Sequence, residues 1–197
     1  MKTRNGQSSN HRIDVNRLLN GMKLEAVVRV LKRSGARLSA ETLAPLVASY
    51  ENRSRELRAA GNIGESRRLA RRAAALNGLL SHGPVPARMV AEVELPEGYD
   101  GKILLMVLKG GGLDNTVCLR SGDDWHREIL RNTRAEMKDL GFMHTRVEPL
   151  GGAYARFTPD GGIVIWGTSD EYGCCDKQEA ARMIARTHPD SLVRVEE

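Results

Sequence analysis

His126 is the residue whose type and position most directly suggest chemistry. It lies in the stretch GDDWHREI, residues 122–129, where strand-like alternation gives way to helical spacing. A neutral imidazole is available near pH 7 as a general base or as a nucleophile. The alternative is an ordinary polar residue at the edge of a helix, and the residue type alone does not distinguish the two.

The helical spacing also predicts how His126 sits on its helix. Trp125, Ile129, Thr133 and Met137 recur every four positions and predict the buried stripe. His126 then lies about 100° away from that stripe. We therefore expect it at the rim, where both cleft residues and ordinary surface histidines are found.

The cysteines predict neither a disulfide framework nor a metal centre. Of the three, Cys118, Cys174 and Cys175, the adjacent pair cannot form an ordinary unstrained bridge. A zinc site usually needs two separated ligand pairs such as C-x-x-C, which this sequence lacks. We therefore expect a reducing compartment, no metal and no cofactor.

The net charge of +5 conceals two halves of opposite sign. Residues 1–90 hold 17 Lys and Arg against 6 Asp and Glu, whereas residues 91–197 hold 13 against 19. The basic half indicates an acidic partner.

No apolar run approaches the roughly 20 residues that cross a membrane, and the N-terminal residues lack the apolar segment of a secretory signal. We expect a cytoplasmic protein without a membrane partner.

Helical spacing dominates residues 1–88. Apolar residues recur at that spacing over 13–33, 39–61 and 64–80, and the proline-containing stretch 81–88 is typical of a linker. We therefore predict a basic α-helical region that ends at residue 88.

The third of these helices carries a basic run, RRLARRAAAL, on one face. Arginines at helical spacing usually form a solvated face. Their alternative role is to attach the chain to RNA, DNA or an acidic protein, with these residues as contacts: Arg67, Arg68, Arg71 and Arg72.

Residues 89–197 predict a sheet domain with two helices. Helices are expected at 123–140 and 176–187, with PLGG and PDGG as turns between strands. Strands are expected at 89–95, 102–108, 116–120, 142–149, 153–158, 162–167 and 192–196. This order predicts the α/β (α+β) class, with a helical region followed by a mixed sheet.

Four strings in the second half of the chain occur in the order and spacing of a known family. They are GKILL, WH, LGG and IVIWGTSDEYG, which begin at residues 101, 125, 150 and 163. Together they resemble the Janus/Ocnus family, which includes the phosphohistidine phosphatase, over residues 101–195. The resemblance implies a Janus/Ocnus-like mixed sheet and hydrolysis of phosphoryl groups carried by nitrogen.

The resemblance also assigns roles to individual residues. The catalytic histidine falls on His126, and the phosphate-holding lysine falls on Lys102. A lysine is a compact positive charge, and glycine-flanked backbone amides bind anions. The family's phosphate-binding turn falls on Thr168, Ser169, Asp170, Glu171, Tyr172 and Gly173.

We therefore predict a hydrolase that removes the phosphoryl group from phosphohistidine in a protein or peptide. Glu171 departs from the family's pattern, in which a small residue holds this position, and Asp170 lies beside it. Two carboxylates beside a phosphate cradle repel a dianion unless their side chains point away. The alternative is a noncatalytic phosphate- or RNA-binding module. Such a module would dock in a nucleoprotein or other large assembly through the basic helices.

Overall fold

The computed structural model describes residues 40–82, 89–122 and 125–197. The helix predicted over 13–33, most of the predicted linker, His11 and the two aspartates of GDDWHREI lie outside these ranges. The described residues form α1 (Ala40–Ala59), α2 (Ile63–His82), β1 (Val93–Glu94), β2 (Asp100–Lys109), β3 (Thr116–Gly122), α3 (His126–Leu140), β4 (Arg146–Phe157), β5 (Ile163–Trp166), α4 (Lys177–Thr187) and β6 (Val193–Val195).

The six strands form one mixed sheet in the order β1-β3-β2-β4-β5-β6. β1 runs parallel to β3 and β6 parallel to β5, whereas the inner pairs are antiparallel. The predicted class, a helical region followed by a mixed sheet with two helices, is confirmed. None of the helices described is long and apolar enough to span a lipid bilayer.

Strand β2 is buried on both faces because helices cover both sides of the sheet. Leu104 and Met106 face a cluster that contains residues of α1, α2 and α3. Ile103 and Leu105 face a second cluster, to which α4 contributes. An uninterrupted apolar run is typical of such a central strand, because neither of its faces meets water.

The helical hairpin α1–α2 packs against the first of these clusters. Leu43 and Tyr50 from α1 meet Leu69 and Leu76 from α2, and all four belong to the cluster that includes Leu104. The two predicted helices, 39–61 and 64–80, are confirmed with small shifts at their ends. The basic region is therefore packed onto the sheet over its described part.

The PLGG sequence lies within a strand, contrary to the predicted turn. Residues 146–157 form the single strand β4. Its pairing with β2 shifts by one residue, because Leu105 pairs with Gly151 whereas the next residue, Met106, pairs with Pro149. Leu150 is the extra residue of this β-bulge, where Pro and Gly are tolerated. The turn lies earlier, at Phe142–Thr145, within the stretch predicted as a strand.

A buried ion pair joins α3 to the sheet. The guanidinium of Arg120 on β3 donates two hydrogen bonds of 3.0 Å to the carboxylate of Glu136 on α3. Arg120 is 1% exposed, and the Glu136 side chain is 2% exposed. Burial alone would raise the pKa of Glu136, but Arg120 and Arg71 outweigh it and hold that pKa below its ordinary value.

The arginines of α2 extend this network toward β1 and α3. Arg71 lies 2.6 Å from a carboxylate oxygen of Glu94. Arg72 is fully buried and donates two hydrogen bonds, of 2.8 and 2.6 Å, to Asp139. The predicted solvated face is therefore wrong for Arg71 and Arg72, because the sheet and α3 supply carboxylates that neutralise them.

We expect Glu136→Gln to cost about 3–5 kcal/mol of unfolding free energy near neutral pH, because it leaves a buried charge without its partner. Urea denaturation measures the loss. Glu179→Gln is the matched control, since Glu179 pairs with Arg182 on the surface, and exposed pairs contribute under about 1 kcal/mol. Equal losses in the two variants would contradict the role given to the buried pair.

The same variant tests the lowered pKa of Glu136. A carboxyl group whose pKa is lowered on folding stabilises the protein fully above its unfolded pKa, about 4.3 for glutamate. That contribution disappears as the pH falls through the lowered folded value. We therefore expect the difference in stability between wild type and Glu136→Gln to be constant near neutral pH and to shrink below about pH 4.

Candidate active site

A row of three side chains crosses the sheet on the face covered by α3. Lys102 on β2 pairs with Tyr154 on β4, which pairs with Trp166 on β5, so all three project to the same side. The Tyr154 and Trp166 rings stack with centroids 5.7 Å apart. The Lys102 Nζ atom lies 5.5 Å from the Tyr154 ring centroid.

His126 packs onto this row from the first turn of α3. Its ring meets the Tyr154 ring edge-on, with centroids 5.9 Å apart. The Nε2 atom lies 3.1 Å from the carbonyl oxygen of Ala153. Because a carbonyl oxygen can only accept, Nε2 must carry the hydrogen, and a neutral ring then has its lone pair on Nδ1. The fold therefore selects one tautomer, which leaves Nδ1 as the basic and nucleophilic atom.

The predicted rim position of His126 is wrong, because the residue is 4% exposed. Trp125, which was expected in the buried stripe, is 55% exposed. Trp125 is the N-cap residue, and its extended backbone (φ −135°, ψ 143°) takes it out of the helical repeat. The buried face instead begins at His126 and continues through Ile129, Thr133 and Met137, which are buried as predicted.

Gly152 allows His126 and Ser169 to meet on β4. A Cβ atom at position 152 would lie 2.6 Å from both Cδ2 and Nε2 of His126, and 2.8 Å from Cβ of Ser169. Only a residue without a side chain permits this approach. Three residues assigned by the resemblance, Lys102, His126 and Ser169, thus converge on the segment from Gly152 to Tyr154.

The loop of residues 167–173 is a compact turn closed by its own hydrogen bonds. The amide of Gly173 donates to the carbonyl of Ser169 at 2.9 Å. Ser169 is 3% exposed. Its hydroxyl oxygen accepts hydrogen bonds from the amides of Glu171 and Tyr172 at 3.3 and 3.2 Å. Two of the amides expected to hold phosphate are thus directed at Ser169, whereas Thr168 and Asp170 are exposed.

Glu171 reaches from this loop to the start of α3. Its Oε2 atom accepts a 3.1 Å hydrogen bond from the amide of Arg127. Its Oε1 atom lies 3.7 Å from Nη1 of the same arginine. The helix receives no cap from the Trp125 side chain, so the Glu171 carboxylate provides negative charge at its positive end.

Cations and aromatic rings alternate around His126, a feature that the sequence analysis missed. Lys102 Nζ and the Arg127 guanidinium lie 5.5 and 5.3 Å from the Trp125 ring centroid. The Arg156 guanidinium lies 5.1 Å from the Trp166 ring centroid. Counting back from the PDGG turn would have paired Tyr154 with Trp166, but no sequence signal places Trp125 beside Lys102.

Two further histidines in the described part of the chain, His144 and His188, lie in other surroundings. His144 is exposed in the turn before β4, and His188 follows α4 and packs edge-on against Phe157. Within the described ranges, no group of three or more His, Cys, Asp or Glu side chains is arranged to hold a metal ion.

Comparisons with known proteins agree with the resemblance found in the sequence. The model of the Janus/Ocnus family matches residues 87–191, more than half of the chain. The sex-regulated protein janus-A of Drosophila simulans and that of Drosophila mauritiana are each 28% identical over 102 residues. The janus-A protein of Drosophila melanogaster is 26% identical over the same length. Each alignment covers 51% of this chain and 73% of the relative.

We expect Gly152→Ala to displace the His126 ring and to destabilise the protein by about 1–3 kcal/mol, the usual cost of overpacking. Nitrogen NMR of the imidazole should show Nε2 protonated in the wild type and a changed signal in the variant. Gly64→Ala is the control, because a Cβ there meets no atom within 4 Å. An Nδ1-protonated ring in the wild type would contradict the tautomer inferred above.

The cysteines should differ sharply in reactivity. Burial raises the pKa of Cys118 and of Cys175 to about 11, whereas Cys174 is exposed. The thiolate is the reactive form. Brief alkylation with iodoacetamide near neutral pH, followed by mass spectrometry, should therefore modify Cys174 alone. Alkylation in denaturant should modify all three, and rapid native labelling of Cys118 would show that its strand is not packed as described.

Proposed function

Because this chain belongs to the Janus/Ocnus family, we propose that it hydrolyses phosphoryl groups on nitrogen, with protein phosphohistidine as the substrate. The observation that carries the proposal is the state of His126. A buried imidazole is held by its Nε2–H on the carbonyl of Ala153, and its ring and the Lys102 ammonium both lie against the Tyr154 ring. That combination suits a reaction that needs one base or nucleophile and a cation for the phosphoryl oxygens.

The proposed reaction breaks the bond between phosphorus and nitrogen and forms one to an oxygen of water. In one version, Nδ1 of His126 takes a proton from water as the water attacks phosphorus. In the other, Nδ1 attacks phosphorus itself, and water then releases the phosphoryl group from the ring. In both versions the leaving nitrogen gains a proton and inorganic phosphate is the product.

Lys102 is the proposed clamp on the phosphoryl oxygens. Its ammonium group lies near the Tyr154 and Trp125 rings, which restrict the water around it. A cation in such a partly dry position stabilises developing negative charge more strongly than one in open solvent. Ser169 has a hydroxyl hydrogen that it can still donate to the substrate while its oxygen accepts from the loop amides.

The alternative, a noncatalytic module that binds phosphate or RNA through the basic helices, stays a prediction. The carboxylates of Glu94 and Asp139 engage Arg71 and Arg72, so α2 offers less free positive charge than its sequence indicates. Arg67, Arg68 and Arg71 are partly exposed, and Arg72 is buried. Location in the cytoplasm likewise remains part of the proposal.

We expect His126→Ala to lower the rate of phosphohistidine hydrolysis by on the order of 10²–10⁴-fold, the usual range for loss of a general base. Lys102→Ala should lower it similarly, and Lys102→Arg should restore part of the rate, since the charge is kept. Release of inorganic phosphate from a phosphohistidine peptide and from phosphoramidate measures both effects.

The matched control is His144→Ala, which removes an exposed histidine from the turn between α3 and β4. It should keep the wild-type rate. If wild type and His126→Ala both hydrolyse these compounds only at the background rate, the protein is not this phosphatase and the binding alternative is favoured.

A further inference from the structure

The contact between Glu171 and Arg127 joins two parts of the site that are 44 residues apart. Helix α3 has 15 residues, and its first amides have no partners within the helix. Such a helix start attracts anions, phosphate among them. In this structure the anion that accepts from the Arg127 amide is a carboxylate of the protein itself.

The position of this carboxylate brings it close to the proposed chemistry. Arg127 is the next residue after His126, so an anion on its amide lies at the same helix start as the imidazole. Glu171 also lies two residues after Ser169. Ser169 and His126 both pack closely against Gly152. A phosphoryl group beside His126 therefore meets the negative charge of Glu171, and its oxygens compete with that carboxylate for the Arg127 amide.

The simplest alternative role for Glu171 is a purely structural helix cap. Two features of the residue are not expected of such a cap. Common caps come from the helix's own first residues, whereas this carboxylate comes from the loop assigned to phosphate binding. Its side chain is 33% exposed, so it is free to leave when a competing anion arrives. Asp170 beside it is exposed and makes no contact with Arg127 among the described interactions.

We propose that Glu171 is a specificity-determining residue that occupies an anion position of the site and disfavours small phosphate dianions. This inference rests on the proposed function, because it places the phosphoryl group beside His126. A substrate overcomes the repulsion when it brings a positive charge that pairs with the displaced carboxylate. The favoured substrate class is then a phosphohistidine next to lysine or arginine in a peptide.

The first experiment measures binding and does not depend on catalysis. Inorganic phosphate is titrated into the full chain while the amide signal of Arg127 is followed by NMR. Glu171→Gln keeps an oxygen that accepts from this amide but removes the charge. We expect its affinity for phosphate to rise about tenfold, the size of effect that one nearby charge produces in a partly screened site.

Glu179→Gln is the matched control, since it removes one negative charge from α4, on the other face of the sheet. Its affinity for phosphate should change by less than about twofold, because exposed charges are screened. An equal gain in both variants would mean that only the net charge matters, and an unchanged affinity in Glu171→Gln would mean that Glu171 is only a cap. Either outcome overturns the inference.

The second experiment compares phosphohistidine peptides that differ in one neighbouring residue, lysine or alanine. The wild type should hydrolyse the lysine peptide several-fold faster, and Glu171→Gln should lose this preference while gaining rate on phosphoramidate. Equal preference in the two proteins contradicts the specificity role. If no variant hydrolyses any peptide but Glu171→Gln binds phosphate more tightly, the proposed function fails while the occupied anion position stands.

Discussion

Helix α3 is held on the sheet by a buried pair of opposite charges, Arg120 on β3 and Glu136 near the C-terminal end of the helix. Such a pair tolerates little displacement, because any gap leaves a charge without solvent or partner. The same helix begins with His126, whose ring is fixed by the carbonyl of Ala153. One end of α3 is thus anchored by charge and the other by a hydrogen bond, and both anchors lie on the sheet.

The site built at the start of α3 carries opposing electrostatic tendencies. Lys102 and Arg127 favour an anion, and so does the positive end of the helix. Glu171 already supplies one negative charge at that position and accepts from the helix amide. The proposed phosphate site therefore already has a carboxylate of the protein on one of its backbone amides, which distinguishes it from an open phosphate cradle. The aromatic rings between the cations limit the water that would otherwise weaken these charges.

Carboxylates of the sheet domain compensate the positive charges of arginines in the helical region. Arg72 is fully buried in α2 and is compensated by Asp139 of α3. Arg71 uses Glu94 of β1 in the same way. Opposite net charges in the two halves of the sequence, which suggested an external acidic partner, are in part satisfied inside the molecule. The acidic surface that meets these arginines belongs to the same chain.

Local patterns in the sequence were sufficient for elements whose signals are local. Helical spacing, the Asp176 cap, the Gly141 stop and the PDGG turn all depend on neighbours within a few residues, and the structure confirms them. The motifs also pointed to His126, Lys102 and Ser169, because residue type and order carry that resemblance. Where each side chain points depends on partners distant in sequence. Tertiary packing alone decided that PLGG forms a bulge, that Trp125 is exposed while His126 is buried, and that Glu171 reaches Arg127.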